Sequence, residues 1–392
     1  MGDVYSYSYS IPYIVVILIL FMLAYFEDKS RHIKQQKKYI YIAEFILIIF
    51  FGLRGFIQSD FQNYYPWFEY LPTLWSLEDF GNVFVENYEP GFVLFSILCK
   101  SISSNYFVWI LICSIIDIIL LKKIFNEYSI NCCFSFAIYF AIGALIMEFN
   151  LMRNIKAILI LVIALKYIQQ KQIWKYFLCV FIATLFHITA IIFVPLYFVL
   201  DKKWPRPVLL VIFIVCITIF LSQVRLLSIL LPKVTNFLGG VYMEKAEMYE
   251  ISGSLDVSYG ISFGLIERSI TFFLVYLFYG KWIDKTGNRY IFPNMIVIYF
   301  MCFSLLAEMS VLLERFAYYF ALSYSIFYPN LVKHIRTKFN RIVLVYFLVG
   351  VFTLKIAQQT QTIVFKYDNI LFGIESFEKR LATLKFFLAS IN

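Results

Sequence analysis

The chain has little charge. Asp, Glu, Lys and Arg make up 15% of its 392 residues, where a soluble domain carries about 25%. With 61% of residues hydrophobic and 20% aromatic, it lacks the polar surface of an ordinary water-soluble enzyme. Histidine is scarce too, at His32, His187 and His334 only, and no HExxH, DxD, GxGxxG or P-loop pattern occurs. Soluble zinc and nucleotide chemistry are therefore unsupported, and neither a metal nor another cofactor is expected. The cysteines number seven, mostly inside apolar runs, with no CxxC and no Cys/His pair at metal-ligand spacing, so they read as small packing residues. No Pro/Gly/Ser-rich linker interrupts the chain, which reads as one membrane domain over 1–392.

What is present is a series of long apolar runs. A membrane-spanning helix needs about 20 apolar residues. Such runs lie near 11–26, 39–53, 106–121, 132–149, 155–169, 207–231, 264–280, 291–313, 314–331 and 342–357. Residues 90–99 are too short to span and suit a re-entrant or interfacial helix, and residues 174–200 read as two short helices meeting at Phe186-His187. The expected fold class is all-α, a polytopic integral membrane protein with about 10–13 transmembrane or re-entrant helices.

The formal net charge of +9 would prompt a nucleic-acid partner in a soluble protein. Here the basic residues concentrate in the connections 27–38, 122–131, 166–175, 201–206, 281–289 and 333–341, which become cytoplasmic by the positive-inside rule. No nucleic acid is expected. Loops 54–89 and 232–263 then face outward, and the former carries Arg54 alone against six acidic residues. Near the C-terminus Ile374, Phe377, Leu381, Leu384 and Leu388 recur at helical spacing, predicting an amphipathic interfacial helix within 366–392.

The ionisable residues outside the cytoplasmic connections gather at the outer helix ends. Arg54 ends the second run, Asp60 with Tyr64 opens the outer loop, and Tyr88-Glu89 closes it. Arg153 sits in a short turn, His187 at a hairpin tip, and Glu314-Arg315 and Glu267-Arg268 within or beside apolar segments. Charges near the bilayer centre cost about 2.5–3.5 kcal/mol each on insertion scales, so they mark partners or function. Arginines with carboxylates and a histidine on one face suit a polyanionic head group, because the guanidinium fork matches phosphate oxygens. Structural roles compete at each position: helix-end snorkelling for Arg54 and Arg153, a satisfied core histidine for His187, an ion pair for Glu314-Arg315, and solvated acids for Asp60 and Glu89.

Four segments carry a resemblance to a known family: Leu53-Arg54-Gly55 through Asp60 to Asn63-Tyr64-Tyr65; Tyr88-Glu89-Pro90-Gly91-Phe92; Arg153 with Ala157, Ala164, Tyr167 and Ile168; and Leu185-Phe186-His187-Ile188-Thr189-Ala190. Together they resemble the EpsG-like bacterial polysaccharide polymerases, related in role to the Wzy-type O-antigen and capsule polymerases. Asn154 and Ser59 depart from the residues usual in the family. The resemblance implies a fold like the polyprenyl-sugar-using (GT-C-like) membrane glycosyltransferases, in the bacterial inner membrane with the active site facing the periplasm. It implies undecaprenyl-pyrophosphate-linked oligosaccharide as both donor and acceptor, with a flippase and a chain-length regulator as pathway partners. On that reading Arg54, Arg153 and Arg315 bind pyrophosphate with Tyr64, Tyr88 and Glu314 beside them, Asp60 or Glu89 activates the acceptor hydroxyl, and His187 assists. An O-antigen ligase and a flippase or transporter of the same lipid-linked sugar are the competing functions, and a membrane scaffold is a third.

Overall fold

The computed structural model describes residues 3–76, 88–224 and 260–391. The expected loop 232–263 therefore lies outside the described residues up to 259, as do Glu78, Asp79 and Glu86 of the first outer loop. The described residues form helices, with isolated bridges and no strand. This follows from the composition, because only a helix satisfies every backbone donor and acceptor within one apolar segment.

The helices are α1 Ile11–Lys29, α2 Ile33–Gly52, α3 Phe61–Tyr70, α4 Pro90–Ile102, α5 Tyr106–Tyr128, α6 Cys132–Phe149, α7 Met152–Gln169 and α8 Ile173–Thr184. They continue with α9 Phe193–Leu196, α10 Arg206–Leu221, α11 Phe263–Phe278, α12 Ile291–Leu305, α13 Ser310–His334, α14 Lys338–Gln359 and α15 Phe377–Ile391. Tyr7–Lys29, Cys132–Phe149 and Lys338–Gln359 are long and apolar enough to cross a bilayer by length and composition. The chain is a polytopic, all-helical membrane protein.

Two boundaries differ from expectation. The run 291–313 breaks early: α12 ends at Leu305 and α13 begins at Ser310, so Glu314 lies inside a helix and not at a junction. The break, Leu306 to Met309, holds one charge, Glu308, flanked by apolar residues, so the hydropathy of the run stays high and does not mark it. The C-terminal helix starts at Phe377, after an irregular stretch from Lys366 to Ser376.

The chain divides into two compact units, one of residues 1–197, 284–287 and 325–392, the other of 198–283 and 288–324. Of the four crossings, those at 197/198 and 324/325 fall in aromatic, apolar sequence, where composition does not change.

In the first unit, α1, α2, α5, α6, α7 and α8 pack around a core containing Tyr13, Phe51, Trp109, Phe136 and Tyr139, all essentially inaccessible. One end is closed by polar caps. Glu27 accepts from the Cys132 and Cys133 amides at 2.9 and 2.7 Å, satisfying donors that α6 would otherwise bury unpaired. Lys122 pairs with Glu44 at 2.6 Å. Within α6 a π turn over Phe140–Ala144 shifts the register of its last turn, which carries Glu148.

The other end of this unit is strapped by the C-terminal segment. Tyr367 stacks on Phe50 with ring centroids 4.4 Å apart, and the Gln58 and Gly55 amides donate to Val364 O and Asp368 O. A Cβ on Gly55 would fall 2.2 Å from the Asp368 carboxylate, so only glycine permits this approach. Arg380, 2% exposed, reaches back to Asp368 at 2.9 Å, Glu375 at 3.0 Å and the Lys366 carbonyl at 2.7 Å. Burial raises the Glu375 carboxyl, but hydrogen bonds from Lys379 and Lys366 and the Arg380 charge outweigh it and hold it at about 2, below its ordinary 4.5. A depressed folded pKa contributes stability above the unfolded value and loses it as pH falls toward the folded one. Docking of α15 should therefore be constant from pH 8 to 5 and weaken between 4.5 and 2. Pepsin cleavage of the segment across that window should rise with acidity in the native protein, and Glu375→Gln should flatten the profile.

In the second unit, Phe213, Phe272 and Phe300 form one ring cluster and Phe220, Leu265, Ala307 and Phe303 another. Asn294, fully buried on α12, donates to the Leu200 and Lys202 carbonyls at 2.8 Å and accepts from the Tyr279 hydroxyl at 2.7 Å.

Candidate active site

Where α6 hands over to α7, Asn150 cannot be absorbed into either helix and becomes a hub. Its side-chain carbonyl accepts from the Ser59 and Asp60 amides at 3.4 Å, and its amide group donates to Gln58 at 3.4 Å. Gln58 has φ of +67°, a left-handed conformation costly for a residue with a side chain, held here by the Asn150 and Val364 hydrogen bonds. Thus the segment from Arg54 to Tyr64 is pinned against the α6–α7 turn.

Arg54 was expected to meet phosphate, but its guanidinium lies beneath that turn. It is 4% exposed, donates to Phe51 O at 2.7 Å and Glu148 O at 2.6 Å, and sits 5.1 Å over the Phe149 ring. These contacts close the carbonyl ends of α2 and α6, where backbone acceptors lack helical partners.

Arg153 occupies the first turn of α7 and points the other way. Its Nη1 donates to Glu89 Oε2 at 2.6 Å, its guanidinium lies 4.7 Å from the Tyr88 ring centre, and Tyr64 stands beside it. Its Nε has no acceptor among the described residues. Glu89 is the N-cap of α4, and its second oxygen accepts from the Ile188 amide at 3.2 Å. The carboxylate therefore joins α4, α7 and the turn after α8. Both side chains keep some accessibility, 20% for Arg153 and 16% for Glu89, so this charge-assisted pair sits at a mouth and not in the core.

The α8 turn is held by glycine. The Gly91 amide donates to Leu185 O at 2.8 Å, and a Cβ there would lie 2.7 Å from that oxygen. Gly91→Ala should push α4 away from the turn, cost about 1–3 kcal/mol as overpacking does, and lower activity more than expression. Thermal unfolding beside an activity assay checks both halves. Two residues on, His187 is 6% exposed and caps a 3-10 turn, its Nδ1 lying 2.6 Å from the Thr189 hydroxyl.

Asp60 is half-buried at the start of α3, accepts from the Ser59 hydroxyl at 3.3 Å and acts electrostatically on Tyr64. Tyr64, Tyr88, Trp67 and Phe92 form one aromatic wall, with Trp67 and Tyr88 4.4 Å apart and Trp67 and Phe92 stacked at 5.6 Å. The structure thus brings Asp60, Tyr64, Tyr88, Glu89, Arg153 and His187 to one end of the first unit, with Arg54 under them. Glu314 and Arg315 are half-buried on α13 in the second unit. In the same unit Arg268 is clasped between Phe303, 4.0 Å from its ring centre, and the Tyr299 hydroxyl, a structural setting in keeping with an arginine buried among rings.

Sequence reasoning missed a buried polar layer directly below the cluster. Lys156, one turn along α7 from Arg153, forms a short ion pair with Asp117 of α5, and Glu148 accepts from Tyr139 at 2.7 Å. Asp117 is the single charge in the apolar run 106–121, and Lys156 precedes nine uncharged residues in the run 155–169, which is the signal that would have found them. Asn150 and Gly91 carry no such signal, because their roles arise from partners distant in sequence.

Chemically, the arrangement offers a partly exposed guanidinium, carboxylates, an imidazole and flat aromatic faces, which is suited to a phosphate-bearing sugar. No curated protein and no solved structure matches the chain. The signature of the EpsG family covers residues 37–368, which include every member of the cluster and both residues of the Glu314-Arg315 pair. That match extends over most of the sequence, agrees with the all-helical membrane architecture and supports a polysaccharide polymerase in general, so the chain belongs to the EpsG family.

Proposed function

We propose that the protein joins undecaprenyl-pyrophosphate-linked oligosaccharide repeat units at the outer face of the bacterial inner membrane. The observation that carries the reading is the Arg153–Glu89 pair at the mouth of the helix bundle, walled by Tyr64 and Tyr88 beside the His187 turn. The positive-inside rule supports the orientation, since the opposite helix ends carry the basic connections.

In this reaction the acceptor hydroxyl oxygen forms a bond to the anomeric carbon of the donor. The bond from that carbon to the pyrophosphate oxygen breaks, and its electron pair leaves with the pyrophosphate. Arg153 neutralises the charge developing there, a role a guanidinium fills without a divalent cation because it is always protonated and presents forked donors. Glu89 has one oxygen on Arg153 and the other on the Ile188 amide, which suits it to hold the arginine in place. The proton of the attacking hydroxyl passes to Asp60, with His187 assisting through a hydrogen bond. Arg54 positions the α6–α7 turn from which Arg153 emerges, and the aromatic wall gives sugar rings flat faces to stack on.

The test is the purified full-length protein in lipid vesicles with a defined lipid-linked repeat unit. Oligomers of the repeat with release of undecaprenyl pyrophosphate, unaffected by EDTA, are expected. Transfer to a different acceptor alone would identify a ligase, and movement across the bilayer without new glycosidic bonds a transporter; either result overturns the reading.

A further inference from the structure

At the end of the second unit that carries basic connections, a cleft of about 590 Å³ opens between the start of α10 and the link from α11 to α12. Four cationic side chains line it, Lys203, Arg206, Lys281 and Arg289, with Tyr279 and Tyr290 as walls and no acidic residue among the lining. The walls are built and fixed. The Tyr279 hydroxyl accepts from the Trp204 amide at 2.9 Å and donates to Asn294 at 2.7 Å, while Arg289 donates to the Gly280 carbonyl at 3.3 Å. Gly280, with φ of +78°, makes the turn that folds this link back on itself.

Apolar strips run away from the cleft along both flanking helices. Leu210 and Ile214 on α10, and Leu277 and Phe273 on α11, are between 46% and 57% exposed and lie one or more turns from the cations. A free anion would use the cations only, whereas a molecule with an anionic head and hydrocarbon tails would use both features.

We propose that this cleft seats the phosphate head group of an anionic phospholipid, its acyl chains lying on the strips of α10 and α11. Under the orientation proposed above, the cleft faces the cytoplasmic leaflet, where anionic lipid attracts clustered Lys and Arg at about 1 kcal/mol each. The site takes no part in the glycosyl transfer. It ties the second unit to a leaflet depth and gives the protein a dependence on lipid charge that the reaction itself does not require.

Native mass spectrometry of the full-length protein, released from detergent with phosphatidylglycerol or phosphatidylcholine added, tests this directly. Phosphatidylglycerol should be retained about tenfold or more over phosphatidylcholine, and Arg206→Ala with Arg289→Ala should bring the two lipids to parity. Lys333→Ala with Arg336→Ala, which removes equal charge from a different connection, should leave the preference intact. Equal retention of both lipids by the native protein, or an unchanged preference in the Arg206/Arg289 variant, overturns the proposal. So does displacement of the lipid by millimolar inorganic phosphate, which would assign the cleft to a free anion. Polymer formation from a defined repeat unit is read separately, so failure of the lipid site and failure of the polymerase reading remain distinguishable.

Discussion

Arg153→Ala is expected to lower polymer formation by about 10²–10³-fold, the loss seen when one donor to a developing negative charge is removed. In cells lacking the native gene, lipid-linked single repeats should accumulate where a ladder of polymer is normally seen. The size of the effect follows from position. Arg153 keeps 20% of its side chain exposed while clasped by Glu89 at 2.6 Å and by the Tyr88 face. Arg153→Lys keeps the charge but loses the planar fork, so most of the loss should persist. Glu89→Gln keeps a hydrogen bond to the Ile188 amide and removes the carboxylate that orients the guanidinium, so a smaller loss is expected. Arg54→Ala should act differently, lowering the melting temperature together with activity, because its donors close helix-end carbonyls. A normal ladder from Arg153→Ala at normal expression would remove Arg153 from the reaction.

The largest effect on stability should come from the ion pair below the cluster. Asp117 is 1% exposed and Lys156 5%, so neither charge can turn to water if the other is lost. Lys156→Met or Asp117→Leu alone should each destabilise by about 3–5 kcal/mol, since truncating one partner strands a buried charge. The double variant should recover most of that loss, because a buried pair replaced by apolar groups of similar volume is often neutral or stabilising. Thermal unfolding in detergent of the two single variants and the double variant gives the cycle. Additive losses, with the double variant worse than either single one, would show that the pair is not the interaction that matters. Lys156 also donates toward the Cys113 carbonyl and lies 5.8 Å from the Phe95 ring centre, so the pair ties α4, α5 and α7 together beneath the mouth. The stability and the site geometry therefore share one layer.

Much of the secondary structure was legible because its cause is local. Each apolar run must satisfy its own backbone, and the observed helices follow the expected runs to within a few residues at α1, α6, α7 and α14, while α5 runs on to Tyr128 from an expected end at 121. The short helix at Pro90 and the hairpin tip at His187 were legible for the same reason, from length and from the flanking charges. The break between α12 and α13 was not, because the single charge within it, Glu308, is flanked by apolar residues and leaves the hydropathy of the run high. Arg380 shows the limit of periodicity. It falls on what reads as the polar face of an amphipathic helix, yet it is among the most buried charges, because Asp368 and Glu375 arrive from an irregular segment.

The site was legible as a set of residues but not as an arrangement. Arg153, Glu89, His187, Asp60 and Tyr64 each stood out as polar groups beside apolar runs, and all belong to the observed cluster. Arg54 stood out by the same rule and points elsewhere, since a helix-end position does not say which way a side chain turns. Asp117, Lys156 and Glu148 carried the stronger signal, charge inside a run, but their meaning depends on which helices adjoin.

By itself the sequence determined that this is a membrane protein built of helices, roughly where each helix lies, and which connections are basic. It did so because burial of apolar surface and satisfaction of backbone hydrogen bonds act within single segments. Only the tertiary structure decided that Arg153 meets Glu89, that Arg54 is a clamp, that Lys156 answers Asp117 and that the C-terminal segment straps the loop at Gly55. Each of those pairings joins residues far apart in the chain, and a charge acts through its nearest neighbours in space, which packing alone selects.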